Sequence, residues 1–289
     1  MSEAFVEPFQ FEFMQRALLA GSLAGLVCAV VGSYVVLKGM GFLGDAIAHS
    51  SLAGMAIAFR LGGSVLWGAF IWVVPASLVI TYLSRRTRLH MDSSIGIVYA
   101  LGFSVGIIVI SQESGYTADL FSFLFGNVLG ASWSEIAGIG AVAAIVVGVV
   151  VLLYNELLFT AYDETMAAAS GVPVRLVQYL LPLLIGVTTI AAVQTVGVVL
   201  VLSLLITPAA TARLLARRLS GIMVMAVIIA LASVVGGLYV SFHLDWPAGP
   251  TIVLFSTGLF VLVVMAAPQQ GLLWRRRHTP IADAATRAA

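Results

Sequence analysis

Long stretches of the chain are almost free of charge, and the polar positions gather in short gaps between them. The apolar runs fall at 13–37, 44–61, 64–84, 93–112, 135–154, 174–193, 195–212, 220–241 and 250–268. A helix that crosses the hydrocarbon of a bilayer needs roughly 20 apolar residues. These runs are continuous rather than alternating, which excludes a β-barrel. The pattern predicts an all-α polytopic membrane protein with eight or nine spans. The count turns on 44–61, which Lys38 and Arg60 bracket. If that run crosses, there are nine spans and the N-terminus is outside; if it is broken or re-entrant, there are eight and the N-terminus is inside.

Composition agrees with the pattern. Of 289 residues, 61% are hydrophobic and 9% charged, against about 25% charged in soluble domains. A net charge of +1 offers no basic face for nucleic acid. The single cysteine, Cys28, lies in an apolar run, where burial disfavours a thiolate. The opening "MSEAFVEPFQFEFMQR" is acidic and has no cleavage-like site, so the first run is expected to stay as a membrane helix. Residues 1–270 read as one transmembrane domain, and the basic, then small and polar, tail 271–289 as cytoplasmic and disordered.

Basic residues form three clusters: Arg85, Arg86 and Arg88; Arg213, Arg217 and Arg218; Arg275, Arg276 and Arg277. Positive charge stays on the cytoplasmic side. An even number of runs separates each cluster from the next, so all three share that side. The polar stretch 155–173 then falls in the cytoplasm, and 113–134 and 242–249 fall outside.

Ionisable residues inside a membrane helix are costly and are functional candidates by default. "GFLGDAIAHS", 41–50, places Asp45 and His49 one helical turn apart. Residues i and i+4 share a face, and a carboxylate with an imidazole suits a first-row divalent cation. The local alternative is an Asp45 N-cap for a helix starting near Ala46, with His49 bonded to a nearby carbonyl. Further ligands have to come from other spans, a partner subunit or water.

Asp92, before Ser93 and Ser94, reads as the N-cap of span 93–112, and His90 as a solvated loop residue. His243 and Asp245 lie at the outer surface beside Pro247, Gly249 and Pro250. They are a candidate outer gate, or an ordinary loop with Trp246 at the interface. "LFSFLFGNVLGASWSE", 120–135, is an apolar outer segment that reads as packed or membrane-dipping. Pro208 near a span end reads as a helix-breaking kink.

In the cytoplasmic stretch, "DETMAAASG" opens with acids and closes with glycine. Asp163 or Thr160 at the cap, Glu164 in the first turn, three alanines and Gly171 at the stop describe a short helix. Such a helix is marginal alone, so it docks either on a partner or on the protein's own loops. No Walker A pattern, G-x-x-x-x-G-K-[ST], occurs in the chain. An ATPase that powers it is a separate polypeptide.

Taken in order, "GSYVVLKGMGFLGDAIAHSSLAGMAIAF", "MDSSIGIVYALGFSVGIIVIS", "LFGNVLGAS", "DETMAAASGV", "VQTVGVVLVLSLLITPAATARLL" and "DWPAGPTIVL" make the chain resemble the permease subunits of binding-protein-dependent ABC importers for manganese, zinc and iron. The resemblance covers roughly residues 10 to 270. It implies a non-enzymatic permease of the cytoplasmic (inner) membrane with eight to nine helices and no tightly bound cofactor. The implied partners are a second permease copy, a cytoplasmic ATPase that binds the ATP and an extracytoplasmic binding protein that delivers the metal. It further implies that Asp45 and His49 lie on the translocation path, and that Asp163, Glu164, Ala168 and Gly171 belong to a coupling segment seated in the ATPase. Ala53 stands where the family pattern carries proline, which implies a less kinked helix.

The rival class is a gradient-driven secondary carrier, with Asp45 and His49 as protonation or ion sites. A carrier has no need of an ATPase-docking helix. A non-transporting membrane scaffold accounts for the abundant glycines but not for the Asp45–His49 pair.

Overall fold

A computed structural model describes residues 10–87, 89–112 and 126–266. Arg88, Arg275 to Arg277, the tail, and the part of the outer segment before Gly126 lie outside the described residues. Within them every regular element is helical. The helices are α1 (Glu12–Lys38), α2 (Gly41–Ser50), α3 (Leu52–Arg60), α4 (Val65–Arg86), α5 (Met91–Ile110), α6 (Trp133–Leu152), α7 (Tyr154–Tyr162), α8 (Glu164–Ala169), α9 (Val174–Val196), α10 (Val198–Leu215), α11 (Leu219–Leu244) and α12 (Ala248–Ala266), with a 3₁₀ turn at Val128–Gly130.

Nine segments among the described residues are long and apolar enough to cross a membrane, with α2 and α3 counting as one. Their ends lie within a few residues of the runs read from sequence. Segment 41–60 is the one that had two readings. Ser51 keeps right-handed helical angles (φ −62°, ψ −18°), and the bonds Ser51 N–H to Ile47 O and Met55 N–H to Ser51 O carry the helix through. At one end of the bundle Lys38 bonds Glu164; at the other, Arg60 bonds Gln112 just past α5. The segment therefore runs from end to end, which favours nine spans. The continuity agrees with the absence of proline at Ala53.

Three local expectations change. The second helix begins at Gly41 rather than Ala46, so Asp45 sits inside it and caps nothing. Helix α5 begins at Met91 after His90, with no side-chain cap; Asp92 lies in the first turn, where its charge opposes the helix dipole. Helix α10 continues to Leu215, about two turns past Pro208, with Pro208 itself buried among neighbouring helices; Pro208 is therefore mid-helix. Pro173 stands at the N-cap of α9.

Helix α1 is the central post, packed against α10, α11, α6 and α9. Helices α10, α11 and α12 pack on one another around one flank of α1. Helices α2 to α5 form a second group, held to the centre by α9 against α2 and α4. Small residues allow the close approaches. A Cβ at Gly32 would overlap the backbone carbonyl of Leu205 on α10. In the described part of the outer segment, Val128 and Ala131 are buried, which agrees with a packed segment. Gly126 has φ +68°, and a Cβ there would overlap the Val196–Gly197 corner between α9 and α10. Ser132 and Glu135 then form a capping box that starts α6.

The Gly32 contact yields a test of the α1–α10 crossing. Gly32→Ala should destabilise the purified protein in detergent by about 1–3 kcal/mol, because the clash is with backbone. Gly258→Ala, with open space around its Cβ, should leave stability unchanged or raise it by up to about 1 kcal/mol. Equal melting of both variants and the parent would rule out the close crossing.

Candidate functional site

Helix α2 carries the intramembrane polar pair. His49 Nδ1 lies 3.0 Å from the backbone oxygen of Asp45 and 3.2 Å from its Oδ1. Both acceptors call for the proton on Nδ1, and that tautomer leaves Nε2 with a free lone pair. A carboxylate that fixes an imidazole in this way is the usual support for a metal-binding histidine. The side chains are only partly exposed, 22% for His49 and 34% for Asp45.

Helix α5 supplies the other wall. Tyr99 and Phe103, one turn apart, stack on each other at 5.8 Å with planes 8° apart. Each meets the His49 ring edge-on, at 5.7 and 6.1 Å. They reach it because Gly102 and Gly106 of α5 have no side chain where Ser50 and the Leu52–Ala53 backbone come in. Asp45, Phe42, Tyr99 and Asp92 border an open cavity of about 230 Å³. Among the described residues no group of three or more His, Cys, Asp or Glu side chains is placed to hold a metal. In this arrangement His49 Nε2 is the free ligand and Asp45 its support; Asp45 joins it on one ion when the Nδ1 contact opens, which gives at most two protein ligands per chain and no closed cage.

A second polar centre lies at the end assigned to the cytoplasm. Asp163 caps α8, its Oδ1 accepting from Thr165 and Met166 N–H at 2.8 and 3.0 Å. Gly171 (φ +81°) closes it: its N–H bonds Ala168 O, and Val172 N–H bonds Ala167 O, both at 3.1 Å. That paired closure is the Schellman arrangement, which needs a left-handed residue. Ala167 is buried, while Met166, Ala168 and Ala169 face outward.

Glu164 ties α8 to three long helices. Its Oε1 accepts from Lys38 Nζ of α1 at 3.1 Å, Arg85 of α4 grips both oxygens at 3.0 Å, and Gln178 of α9 donates at 2.8 Å. The two-pronged Arg85 hydrogen bond, helped by Lys38 and opposed by burial, pulls the Glu164 carboxyl from 4.5 down to about 2. These residues border a cavity of about 480 Å³ that also touches His90 and Asp92.

The candidate outer gate is arranged locally. His243 Nδ1 lies 2.9 Å from Tyr239 O, with the rings 4.3 Å apart. Asp245 ends α11 in the left-handed region (φ 52°). Both are exposed.

Sequence reading identified Asp45, His49, Asp163, Glu164, Ala168 and Gly171, and the structure brings the first two into contact. It missed Tyr99 and Phe103, which look like ordinary apolar positions. It also missed Lys38, Arg85 and Gln178 as partners of Glu164. A signal for Arg85 was present: the charge parity put it on the same side as the acids of 155–173.

Nine apolar helical segments of spanning length among the described residues, with a polar pair in the interior, define a multi-pass membrane protein. Comparison with known proteins makes this specific: the chain belongs to the ABC 3 transport family, whose profile matches residues 10–267. It is 40% identical over 271 residues to the manganese transport system membrane protein MntC of Halalkalibacterium halodurans, covering 94% of this chain and 93% of that one. It is 34% identical over 289 residues to the chelated iron transport system membrane protein YfeC of Yersinia pestis, covering 97% and 98%. Among solved structures, PsaBC from Streptococcus pneumoniae in complex with Fab matches with a TM-score of 0.83 and 34% identity, over 96% of this chain and 100% of that one. The family read from the ordered motifs and the all-α polytopic fold are thus both borne out.

The depressed Glu164 carboxyl sets a pH window. Stabilisation from a lowered carboxyl is complete above its unfolded value and is lost as pH falls through the folded one. The anchor of α8 should therefore hold above about 4.5 and release toward about 2. The protection of the amides across 163–172, relative to the intrinsic rate at each pH, should fall several-fold over that range, and Glu164→Gln should show the loosened behaviour at neutral pH. A protection factor across 163–172 that stays flat between about pH 5 and pH 2, with the intrinsic rate at each pH divided out, would remove Glu164 as the anchor.

Proposed function

We propose that this chain is the permease of an ATP-powered importer that carries a divalent transition-metal cation inward, with manganese the first candidate and zinc or iron the alternatives. The observation that carries this reading is the Asp45–His49 pair. Its Nδ1 contact frees Nε2, and Asp45 borders an open cavity inside a membrane span. A hard carboxylate oxygen with one imidazole, and no thiolate beside them, suits Mn²⁺, Fe²⁺ or Zn²⁺ and disfavours Cu⁺. The names of the relatives, which include manganese and chelated-iron systems, point the same way.

Two ligands per chain do not hold a cation alone. A second copy of the chain, with the two α2 helices facing across a two-fold axis, doubles the set to two carboxylates and two imidazoles. We place the homodimer in the proposal for this reason. Such a site strips part of the hydration shell without enclosing the ion, as a conduction path must.

Energy enters from outside the chain. Helix α8 presents Met166 and Ala168 outward while Glu164 fastens it to α1, α4 and α9. In the proposed complex this helix seats in a cytoplasmic ATPase, and ATP-driven movement there switches the path between outward and inward access. A separate binding protein delivers the metal from outside, where His243 and Asp245 stand at the mouth. The short docking helix is what favours this over a gradient-driven carrier.

The test is metal uptake in cells lacking the gene and complemented with variants. Asp45→Ala and His49→Ala should each lower Mn²⁺ uptake by at least about tenfold, the scale expected for loss of a metal ligand or its support, with unchanged protein in the membrane. Parental uptake rates in both variants would sink the path assignment.

A further inference from the structure

Most hydroxyls inside the bundle satisfy themselves within their own helix. Ser33 donates to Ala29 O, Thr81 to Ser77 O, Thr211 to Thr207 O, Ser233 to Ile229 O and Thr251 to Pro247 O. This bond to the carbonyl four residues back is the cheap way to bury a hydroxyl in a helix. Among the described residues six buried hydroxyls have no partner: Tyr34, Thr160, Thr188, Thr189, Ser203 and Ser256. Of these, Thr189 of α9 shares a gap with Asp45. Its side chain is buried, at 1% exposure, and its Oγ1 has no hydrogen-bond partner. A fully buried polar atom left unpaired is costly and calls for an explanation.

The direction of that hydroxyl supplies one. Oγ1 lies 3.5 Å from where a Cβ on Gly44 would be, so it faces α2 at the residue next to Asp45. Thr189 and Asp45 border the same gap, together with Gly44, Ala48 and Leu205. The gap is too narrow for a water molecule, so no solvent can satisfy the hydroxyl. The acceptor to hand is the Asp45 carboxylate, one oxygen of which already takes the His49 contact. Each carboxylate oxygen has two lone-pair sites. Asp45 can therefore accept from His49 on one oxygen, accept from Thr189 on the other, and still face a cation.

We infer that Thr189 is a positioning residue of the cation path: its hydroxyl donates to the Asp45 carboxylate when a cation is engaged, closing the gap between α9 and α2 and fixing the orientation of that ligand. The inference rests on the proposed metal path and extends it to a residue on another helix. In the structure the hydroxyl is unpaired. With cation it is paired, so loading the path draws α9 toward α2.

The experiment compares Thr189→Val, which keeps the shape and removes the hydroxyl, with Thr189→Ser, which keeps the hydroxyl. Binding of Mn²⁺ alone to the purified full-length chain is read by loss of the free-ion paramagnetic resonance signal, and thermal stability is measured on the same samples. Thr189→Val should weaken Mn²⁺ binding about tenfold, the scale of a hydrogen bond to a charged group, while melting at or above the parent temperature without the cation. Thr189→Ser should bind within about twofold of the parent. A residue that only fills space predicts the opposite: parental binding by the valine variant. That result, or a serine variant as weak as the valine one, overturns the role of Thr189. If the parent itself shows no saturable binding, or if Asp45→Ala binds as the parent does, the metal path fails and the Thr189 inference fails with it.

Discussion

A carboxylate and an imidazole one turn apart can sit inside an apolar bundle because each is the other's partner. Asp45 accepts from His49 through both its backbone and its side-chain oxygen, so neither group enters the membrane span alone. Isolated, either would cost a few kcal/mol or more in that setting. The surrounding packing follows from keeping this pair in place. Gly102 and Gly106 bring α5 close enough to set Tyr99 and Phe103 against the imidazole. Gly44 leaves room on the opposite side for Leu205 and Thr189. The pair thus touches both helix groups through α2.

The Glu164 centre answers a different constraint. Helix α8 has six residues, too few to be stable alone in water. Its cap and its Schellman closure satisfy the backbone ends, and Glu164 supplies the tertiary tie. Exposed ion pairs contribute little, but this one joins a carboxylate to two cations and an amide in one cluster. Lys38, one of those cations, is the last residue of α1, and α2 begins only three residues later at Gly41. The chain that leaves the Glu164 cluster therefore enters the helix of Asp45 almost at once. Proximity in sequence and space gives a short physical connection between the two polar centres, and it is a connection rather than a demonstrated coupling.

Much of this was legible in the residues. Continuous apolar runs of the right length gave nearly all the spans, because hydrocarbon leaves a chain few other ways to satisfy its backbone. The i, i+4 spacing of Asp45 and His49 gave their shared face, and "DETMAAASG" gave α8 with its cap and stop. The failures are also physical. Asp45 and Asp92 each looked like N-caps because an isolated acid before an apolar run usually is one, yet tertiary packing started both helices earlier. Pro208 was placed near a helix end because proline disfavours an interior; buried among neighbouring helices, α10 continues past it. Tyr99, Phe103 and Thr189 left no trace, since an aromatic or a threonine in an apolar run reads as packing until the helix opposite is known. The Glu164 partners come from three helices far apart in sequence, which no local pattern reports.

What the two polar centres do not contain bears on mechanism. A storage site closes around its ion with four or more ligands. Among the described residues no set of three assembles, and the Asp45 cavity stays open. An ion held by two ligands from one chain must keep part of its water or borrow from a neighbour, and either arrangement releases it readily. That looseness is a defect in a cofactor site and a requirement in a path. Asp92 borders both the Asp45 cavity and the Glu164 cavity, so in the proposed path a cation leaving toward the cytoplasm meets it next. There the carboxylate of Glu164 is already claimed by Lys38, Arg85 and Gln178. A strongly bound acid at the exit would trap the ion; one neutralised by two fixed cations does not. On the proposed path, the cluster that anchors α8 would thus also keep the inner mouth from holding the passing ion.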